Sequence, residues 1–463
     1  MKREARVRNG SLHHLPRVLG LFDVSVLASA SMGPAYSLAT TLGPMVAAAG
    51  NAATLALVLL SAIMLCIAIA FARLSRVLPN AGSSFTWIAA AFGSRIGAYG
   101  AWLLLLSNYF AVMTTALPAA AYTLELVAPA YATSPLWDAV VGAIWILLST
   151  ALLYFGLRPT ASTTALFLVV ELVVLGASAV AALLAHPRPE AALAVPPLPS
   201  PFFGVVTAMV LGIWMTDGWE VSASASEEAR GSADTPGRGG ILGLLVTTAV
   251  LLFAMSAYLR VGSVGGFANH QTDAMAYVAS RLGGAGWRLT IVATVLVSTA
   301  ATLWTTVLYL SRSVFAMGRD GVLPHAFGRL DRRELPTNSL FLVFACVTVF
   351  TLLTGFWPTA ASILNTVLNG TAVFLGALFC MSSAAAIKLL GARPGEPRLQ
   401  TLYVPALGAL ALGAVIAIGI GQADATTRTI ETAGLALGFP FAFWRGGPAG
   451  KAGEALADGG GAC

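Results

Sequence analysis

The sequence predicts an all-α integral membrane protein with twelve transmembrane helices, two of them broken. Of its 463 residues, 57% are hydrophobic and 10% are charged, whereas a soluble domain carries roughly 25% charged residues. Apolar stretches of about 20 residues, the length that crosses a bilayer as a helix, recur along nearly the whole chain. Two of these stretches contain glycine, proline or acidic residues near their centres. No segment is long and polar enough to predict a soluble domain.

The boundaries of the spans follow from the apolar runs and from the glycine, proline and charged residues between them. A basic N-terminal tail (1–17) is expected to be retained rather than cleaved as a signal peptide. It precedes a twelve-helix domain (18–445), and a second tail follows (446–463). The predicted spans lie near 19–45, 53–72, 97–126, 136–156, 160–185, 202–226, 241–261, 289–317, 337–356, 359–388, 402–421 and 429–444, of which the last is the shortest.

The distribution of positive charge tests this number of spans. If the N-terminus is cytoplasmic, 21 of the 26 lysines and arginines fall on the cytoplasmic side and five fall outside. Such a bias is typical of membrane proteins, because positively charged loops remain in the cytoplasm. The sequence therefore predicts a multi-pass protein of the cell membrane with both tails cytoplasmic.

Metal, cofactor and nucleic-acid binding are not expected. The cysteines show no CxxC spacing, which argues against a zinc site or a disulfide framework. The net charge of +6 would suggest nucleic acid as a partner of a soluble protein, but here the positive residues follow the membrane orientation. The expected partners are the lipid bilayer and a small molecule. The four cysteines are Cys66, Cys346, Cys380 and Cys463.

The first and sixth spans are interrupted near their centres. The first contains Ser31, Gly33, Pro34 and Ser37, and the sixth contains Thr216-Asp217-Gly218. Proline removes a backbone donor and glycine adds backbone freedom, so both disfavour a continuous helix. The two spans cross the bilayer in opposite senses, and breaks at matching places of two inverted halves indicate a transporter binding site. Glycine and proline are also common in ordinary membrane helices, which is the alternative explanation.

Three stretches resemble the amino acid–polyamine–organocation transporter superfamily. RLSRVLPNAGSSFTWIAAAFG (73–93) is similar to its loop after span two, and DGWEVSASASEEARGSADTPGRGGI (217–241) to its sixth span and following loop. SRSVFAMGRDGVLPHAFGRLDRRELPTNSL (311–340) contains RDG-x-LP, the most specific of these motifs. The resemblance covers residues 18–445. It implies a 5+5 inverted repeat of the leucine-transporter type, with broken helices 1 and 6 and with spans eleven and twelve peripheral.

The resemblance also implies a function. We expect a secondary active transporter, not an enzyme, that moves an amino acid or a related amine, with a proton as the favoured coupling ion. A sodium-coupled symporter or an exchanger of the same fold is an alternative. A non-transporting membrane sensor or a channel is an alternative from another class. The loops are too short for a signalling domain, and the polar residues cluster at mid-membrane rather than forming a continuous pore lining.

The two breaks are expected to form the substrate site. A substrate carboxylate would bind free N–H groups at the first break, where a half-helix begins with partial positive charge. The ammonium group would lie near freed carbonyls and Asp217, and the resemblance implies that Trp214 closes over the ligand. The predicted substrate-binding residues are Ser31, Met32, Gly33, Pro34, Ala35, Tyr36, Ser37, Trp214, Thr216, Asp217, Gly218 and Trp219.

Two acidic residues are candidates for ion coupling. Glu171 lies midway along span five, where the resemblance often places a lysine, and a lone charge at that depth costs roughly 2.5–3.5 kcal/mol. A protonated carboxyl is cheaper to bury and can release its proton to water; a purely structural hydrogen bond is the alternative. Glu220 is the second candidate, although it could instead accept N–H groups freed by the break. Sodium near Glu171, held with Thr302 or Thr305, is a further alternative.

Several other polar residues have expected structural roles. Asn108, Asn365 and Asn369 are predicted to make hydrogen bonds between helices. Arg319 and Asp320 of the RDG motif are expected to lock a cytoplasmic loop. Glu227 and Glu228 face the same compartment and are expected to pair with basic loop residues.

Overall fold

The computed structural model describes residues 17–131, 134–185, 201–271, 274–283, 285–357 and 359–445. Apart from Arg17, the two predicted tails lie outside these residues. Regular structure in the described part of the chain is helical, with a single isolated bridge between Leu19 and Ala229. The all-α prediction is confirmed.

Seventeen α-helices occupy the described residues, and most predicted spans coincide with one of them. Short helices lie in the connections at 84–92, 264–269 and 274–282. The helices are α1 Leu21–Met32, α2 Pro34–Ala49, α3 Ala53–Val77, α4 Ser84–Phe92, α5 Ser94–Val127, α6 Pro135–Tyr154, α7 Leu157–Leu184, α8 Pro201–Met215, α9 Val221–Ser224, α10 Thr235–Val261, α11 Val264–Asn269, α12 Ala274–Leu282, α13 Ala285–Arg319, α14 Thr337–Leu353, α15 Ala360–Leu390, α16 Val404–Gln422 and α17 Ala425–Arg445.

Nine helical stretches within the described residues are long and apolar enough to cross a membrane. One of them, Leu21–Val77, contains α1, α2 and α3 together, and α8 is apolar but shorter. The helix α17, which carries Arg428 and Glu431, is not among the nine. The protein is therefore a multi-pass membrane protein, while the number twelve stays a prediction.

The first break lies at Gly33, between α1 and α2. Its φ of 51° and ψ of 71° place it in the left-handed region, where a residue with a Cβ is disfavoured. Pro34 then begins α2, at a position where its missing N–H costs no helical hydrogen bond. The break was predicted from these two residues, and the structure has it there.

The second break separates α8, which ends at Met215, from α9, which begins at Val221. Gly218 lies between them with a φ of 106°, again a conformation that favours glycine. The sixth predicted span is thus two helices joined by an irregular segment. Such backbone is tolerated at membrane depth where it lines a protein cavity.

The two long helices α5 and α13 form the interior of the molecule. In their apolar windows 83% of the residues are buried, against 33% for the corresponding parts of α7 and α14. α1 packs against α10 and α7, α2 packs against α8, and α5 contacts both α13 and α15. Both breaks therefore lie beside the buried core rather than at the lipid-facing surface.

Hydrogen bonds between helices, predicted for the mid-span asparagines, are not what the structure shows. Asn108 Nδ2 donates to the Leu104 carbonyl of its own helix (2.9 Å). Asn369 Nδ2 likewise donates to the Asn365 carbonyl (2.9 Å). A side-chain amide can satisfy itself on the preceding turn, so a polar residue within an apolar span need not face another helix.

Candidate functional site

The two broken helices meet at their breaks. A Cβ added to Gly218 would lie 2.6 Å from the carbonyl carbon of Ser31 and 2.9 Å from the backbone nitrogen of Met32. These distances are shorter than van der Waals contact, so only glycine allows the backbones to approach this closely. The second break is thus seated directly against the C-terminal end of α1.

A small polar cavity lies at this meeting point. Its walls come from the end of α1, the second break, α5 and α13. A concave site with a few convergent polar groups is the usual form of a small-molecule site. The lining residues are Ser31, Met32, Asn108, Ala111, Trp214, Asp217, Gly218, Glu220, Thr306 and Tyr309.

Two carboxylates of the cavity converge on one backbone N–H. The Gly218 N–H donates to Asp217 Oδ1 (2.7 Å) and to Glu220 Oε2 (2.9 Å). Asp217 and Glu220 are 9% and 3% exposed, so both acids are withdrawn from bulk water. The bond to Glu220 matches the alternative role considered for it, acceptance of an N–H freed by the break. The same bonds hold both acidic groups at the cavity wall.

Aromatic side chains close the cavity on one side. Trp214 is 5% exposed, and its ring meets that of Tyr36 edge-on, with centroids 6.2 Å apart. The Tyr36 hydroxyl donates to the Thr114 carbonyl of α5, which fixes the ring against that helix. Tyr309 of α13 also lines the cavity and is fully enclosed. The rings of Trp214 and Tyr36 thus pack together beside the cavity.

Trp219, also predicted to bind substrate, is not among the residues lining the cavity. Its ring packs against Phe71 (5.1 Å between centroids) and Phe379 (5.5 Å), and it is 1% exposed. Only four residues separate Trp214 from Trp219, but the break between them turns the second side chain towards α3 and α15. The contacts of Trp219 are those of a core residue.

The N–H groups at the start of α2 are not free, contrary to expectation. The Ala35 N–H donates to Glu171 Oε2 (3.3 Å), and the Tyr36 N–H donates to Ser298 Oγ (3.1 Å). The Ser37 N–H donates to the Gly33 carbonyl (2.7 Å). Protein groups therefore already occupy the donors predicted for a substrate carboxylate.

Glu171 is not among the residues that line the cavity and contacts the first break at the start of α2. It is completely buried on α7, and Ser298 adjoins its carboxyl group. The second oxygen, Oε1, has no hydrogen-bond partner among the described residues. Thr302 is nearby, since its hydroxyl donates to the Ala30 carbonyl (3.0 Å) and would meet a Cβ at Gly33. A buried acid, two hydroxyls and the break thus form a second polar cluster.

Ion pairs close one end of the molecule, beyond the second break. Arg319 binds Glu227 through two nitrogens, at 2.8 and 3.0 Å, and Arg312 binds Glu228 at 2.8 Å. Burial raises the pKa of Asp320, although the guanidinium of Arg319 beside it acts in the opposite direction. The expected pairing of Glu227 and Glu228 with basic residues is observed. These bonds tie the segment after α9 to α13.

The residues just before α1 are hydrogen-bonded to the segment that follows α9. The Val18 and Leu19 N–H groups donate to the Glu228 carbonyl (2.8 and 2.9 Å), and the Arg230 N–H donates to the Leu19 carbonyl (2.7 Å). The base of α1 and the segment after α9 therefore form one hydrogen-bonded unit. The two broken spans are joined at this end as well as at their breaks.

The cavity contains some predicted residues and several that were not predicted. Six residues of the predicted set line it: Ser31, Met32, Trp214, Asp217, Gly218 and Glu220. Of the others, Gly33 and Thr216 lie in the breaks, and Pro34, Ala35, Tyr36 and Ser37 form the first turn of α2. Ala111, Thr306 and Tyr309 were missed, and Asn108 was noted only as a polar residue within a span. The side chains from α5 and α13 carried no motif; Asn108 was the one available signal.

No group of three or more histidine, cysteine, aspartate or glutamate side chains arranged to hold a metal ion is found in the described part of the chain. A polar cavity enclosed at the centre of apolar helices, where two of those helices are broken, defines a membrane transport protein.

Comparison with known proteins agrees with this class. The family model "Amino acid permease" matches residues 19–443, and the chain therefore belongs to the amino acid permease family. Members of this family are transporters rather than enzymes, and the resemblance noted in the sequence is confirmed.

Individual relatives are distant. The branched-chain amino acid permease BcaP of Lactococcus lactis is 28% identical over 64% of this chain. The matched region covers 66% of the length of that permease, just under two thirds. The uncharacterized transporter Rv1999c of Mycobacterium tuberculosis is 27% identical over 90% of this chain and 92% of its own length. A putative arginine/ornithine antiporter of Escherichia coli is 26% identical over 66% of this chain and 68% of its own.

Proposed function

We propose that the protein is a secondary active transporter that moves an amino acid or a related amine across the cell membrane and binds it between the two breaks. The observation that carries this proposal is the seating of Gly218 against Ser31, which joins both interruptions at one enclosed cavity. The names of the relatives, a branched-chain amino acid permease and a putative arginine/ornithine antiporter, support small amino compounds as substrates.

The proposed architecture is twelve spans in a 5+5 inverted repeat. Spans one to five are α1–α2, α3, α5, α6 and α7, and spans six to ten are α8–α9, α10, α13, α14 and α15. This arrangement puts one broken span at the start of each half, as inverted repeats do. The remaining spans are α16 and α17. Both tails are proposed to be cytoplasmic, because this orientation collects most of the positive charge on that side.

We further propose that a proton drives transport and that Glu171 carries it. Three observations support this assignment: its complete burial, its bond to the Ala35 N–H, and an Oε1 that has no hydrogen-bond partner among the described residues. Protonation would weaken acceptance of the Ala35 N–H, and so would connect the charge of Glu171 to the position of α2. Glu220 is the second candidate, because it contacts the other break through Gly218.

Sodium coupling is the alternative favoured by a specific observation. Ser298, Thr302 and the Glu171 carboxyl surround the first break, and oxygen ligands of this kind suit a hard cation. The Thr305 hydroxyl is used within its own helix, where it donates to the Ala301 carbonyl (2.8 Å). Thr302 is the better placed of the two threonines, because its hydroxyl adjoins Gly33 of the first break.

Uptake into proteoliposomes tests the proposal. Purified protein should take up at least one labelled compound from a panel of amino acids, polyamines and ethanolamine, and an inward proton gradient should increase its accumulation. Sodium would be varied at constant pH in parallel. No uptake of any panel member, by a protein shown to be folded, would contradict the proposed function. Uptake that follows sodium alone would overturn the proton assignment.

A further inference from the structure

We propose that Glu171 and Ser298 occupy the place that a substrate carboxylate would take, so that the cavity selects primary amines that carry no carboxylate. This inference rests on the proposed transport function and narrows its substrate. Four observations support it. The backbone donors at the first break are already used, and two helices point their C-terminal ends at the cavity. The cavity also contains two acidic residues and is lined by aromatic rings.

Every backbone donor at the first break is already used. A carboxylate bound at the start of a half-helix needs free N–H groups, because these carry the partial positive charge of the helix end. The chain supplies its own carboxylate there instead. The Gly33 N–H donates to the Ala30 carbonyl, and Pro34 has no N–H. The Ala35 N–H donates to Glu171, and the Tyr36 N–H donates to Ser298. The Ser37 N–H donates to the Gly33 carbonyl.

Two helices reach the cavity through their C-terminal ends, and the N-terminal end that also reaches it, at Glu220, belongs to the four-residue α9. Ser31 and Met32 are the last residues of α1, and Trp214 is the penultimate residue of α8. A helix C-terminus carries partial negative charge and stabilises a cation. Two such ends meet at this cavity, and neither can serve as an anion site.

The side chains add two acidic groups. Asp217 and Glu220 share the single N–H of Gly218, so their carboxyl groups are held close together. Such a pair repels strongly in a buried site unless a proton or a cation lies between the groups. The lining residues include no lysine or arginine. Arg312, one turn along α13 from Tyr309, is paired with Glu228 at 2.8 Å.

Two aromatic side chains of the cavity can contact an ammonium group. The Tyr309 hydroxyl is buried and has no hydrogen-bond partner among the described residues. Trp214 Nε1 has none either, but it only donates, so Trp214 would contact an ammonium group through the face of its ring. The faces of tryptophan and tyrosine attract an ammonium group, and a tyrosine oxygen can accept one of its N–H bonds. The cavity therefore offers two acids, two negative helix ends and aromatic rings to an ammonium group.

Matched pairs that differ only in the carboxylate test the proposal. We would measure binding of leucine against 3-methylbutylamine, and of ornithine against 1,4-diaminobutane, to the purified full-length protein. The amine of at least one pair should bind at least about tenfold more tightly than its parent amino acid, a difference of one decade in Kd. Equal or tighter binding of both amino acids would overturn this inference and leave the proposed transport function standing. Binding of neither pair, nor of any other amino compound, would overturn both.

Two variants connect the preference to the named residues. Glu171→Ala and Ser298→Ala each release one N–H at the start of α2, so each should raise the affinity for the amino acid relative to its amine at least about fivefold. Glu431→Ala is the matched control, because it removes another buried acid, on α17, away from both breaks. Ser298→Ala keeps the test usable if Glu171→Ala does not fold. An unchanged preference in a folded variant would contradict the proposal.

Discussion

At the scale of single residues, the two tryptophans of the sixth predicted span have different roles. Trp214 lines the cavity, whereas Trp219 packs among Phe71 and Phe379. Both were predicted to bind substrate, because nothing in the sequence shows how the irregular backbone between them turns. Which of the two rings lines the cavity depends on how the break packs in three dimensions.

Substitution of these two residues should separate binding from stability. Trp214→Ala should weaken binding at least about tenfold, because it removes an aromatic wall of the site. Trp219→Ala should leave the Kd of the folded protein within about threefold but lower the free energy of unfolding by about 3–5 kcal/mol, the usual cost of an emptied aromatic site. Isothermal titration and thermal unfolding measure the two effects. Loss of binding in Trp219→Ala alone would reverse the assignment.

The carboxyl group of Glu171 provides the residue-scale test of coupling. Glu171→Gln keeps the shape of the side chain and fixes it in an uncharged form. Substrate binding and exchange should therefore survive, while accumulation driven by a pH gradient should be lost. Counterflow and gradient-driven uptake in proteoliposomes measure the two activities. An unaltered response to pH would move the coupling role to Glu220 or Asp217.

At the scale of elements, the sequence predicted the breaks better than the walls of the cavity. Gly33 with Pro34, and Asp217 with Gly218, identify interruptions because their backbone chemistry is incompatible with a continuous helix. The helices α5 and α13 are buried on most sides, so their apolar pattern shows no polar face that would reveal which residues meet the cavity. Ala111 and Tyr309 consequently became visible only in three dimensions.

The close approach of the two breaks can be tested at Gly218. Gly218→Ala should abolish transport and reduce thermal stability, because its Cβ would lie 2.6 Å from the Ser31 carbonyl carbon and its φ is 106°. Gly176→Ala on α7 is the matched control, since no atom lies within 4 Å of an added Cβ there. Alanine at that helical position should be neutral or stabilise by roughly 0.5–1 kcal/mol. Wild-type uptake by Gly218→Ala would show that the breaks need not touch.

At the scale of the whole molecule, composition was sufficient to predict a helical membrane protein, while the orientation inferred from charge asymmetry stays a prediction. The orientation can be measured with single cysteines in a cysteine-free background. Ser232 and Gln271 are exposed and lie in loops on opposite predicted sides. A membrane-impermeant maleimide added to intact cells should modify Gln271→Cys and spare Ser232→Cys until the membrane is opened. The reverse pattern would contradict a cytoplasmic location of the loop after α9.

The most direct test of the central claim, that substrate binds between the two breaks, is protection of a cysteine placed inside the cavity. Ala111 lines the cavity from α5 and belongs to neither break, so Ala111→Cys reports occupancy without altering them. Its rate of modification by a small cationic thiosulfonate would be measured with and without a saturating transported compound, leucine or 3-methylbutylamine. The rate should fall at least about tenfold on binding, whereas Ser232→Cys should react at the same rate in both conditions. Equal rates at Ala111→Cys, for a compound that is transported, would contradict the assignment of the substrate site.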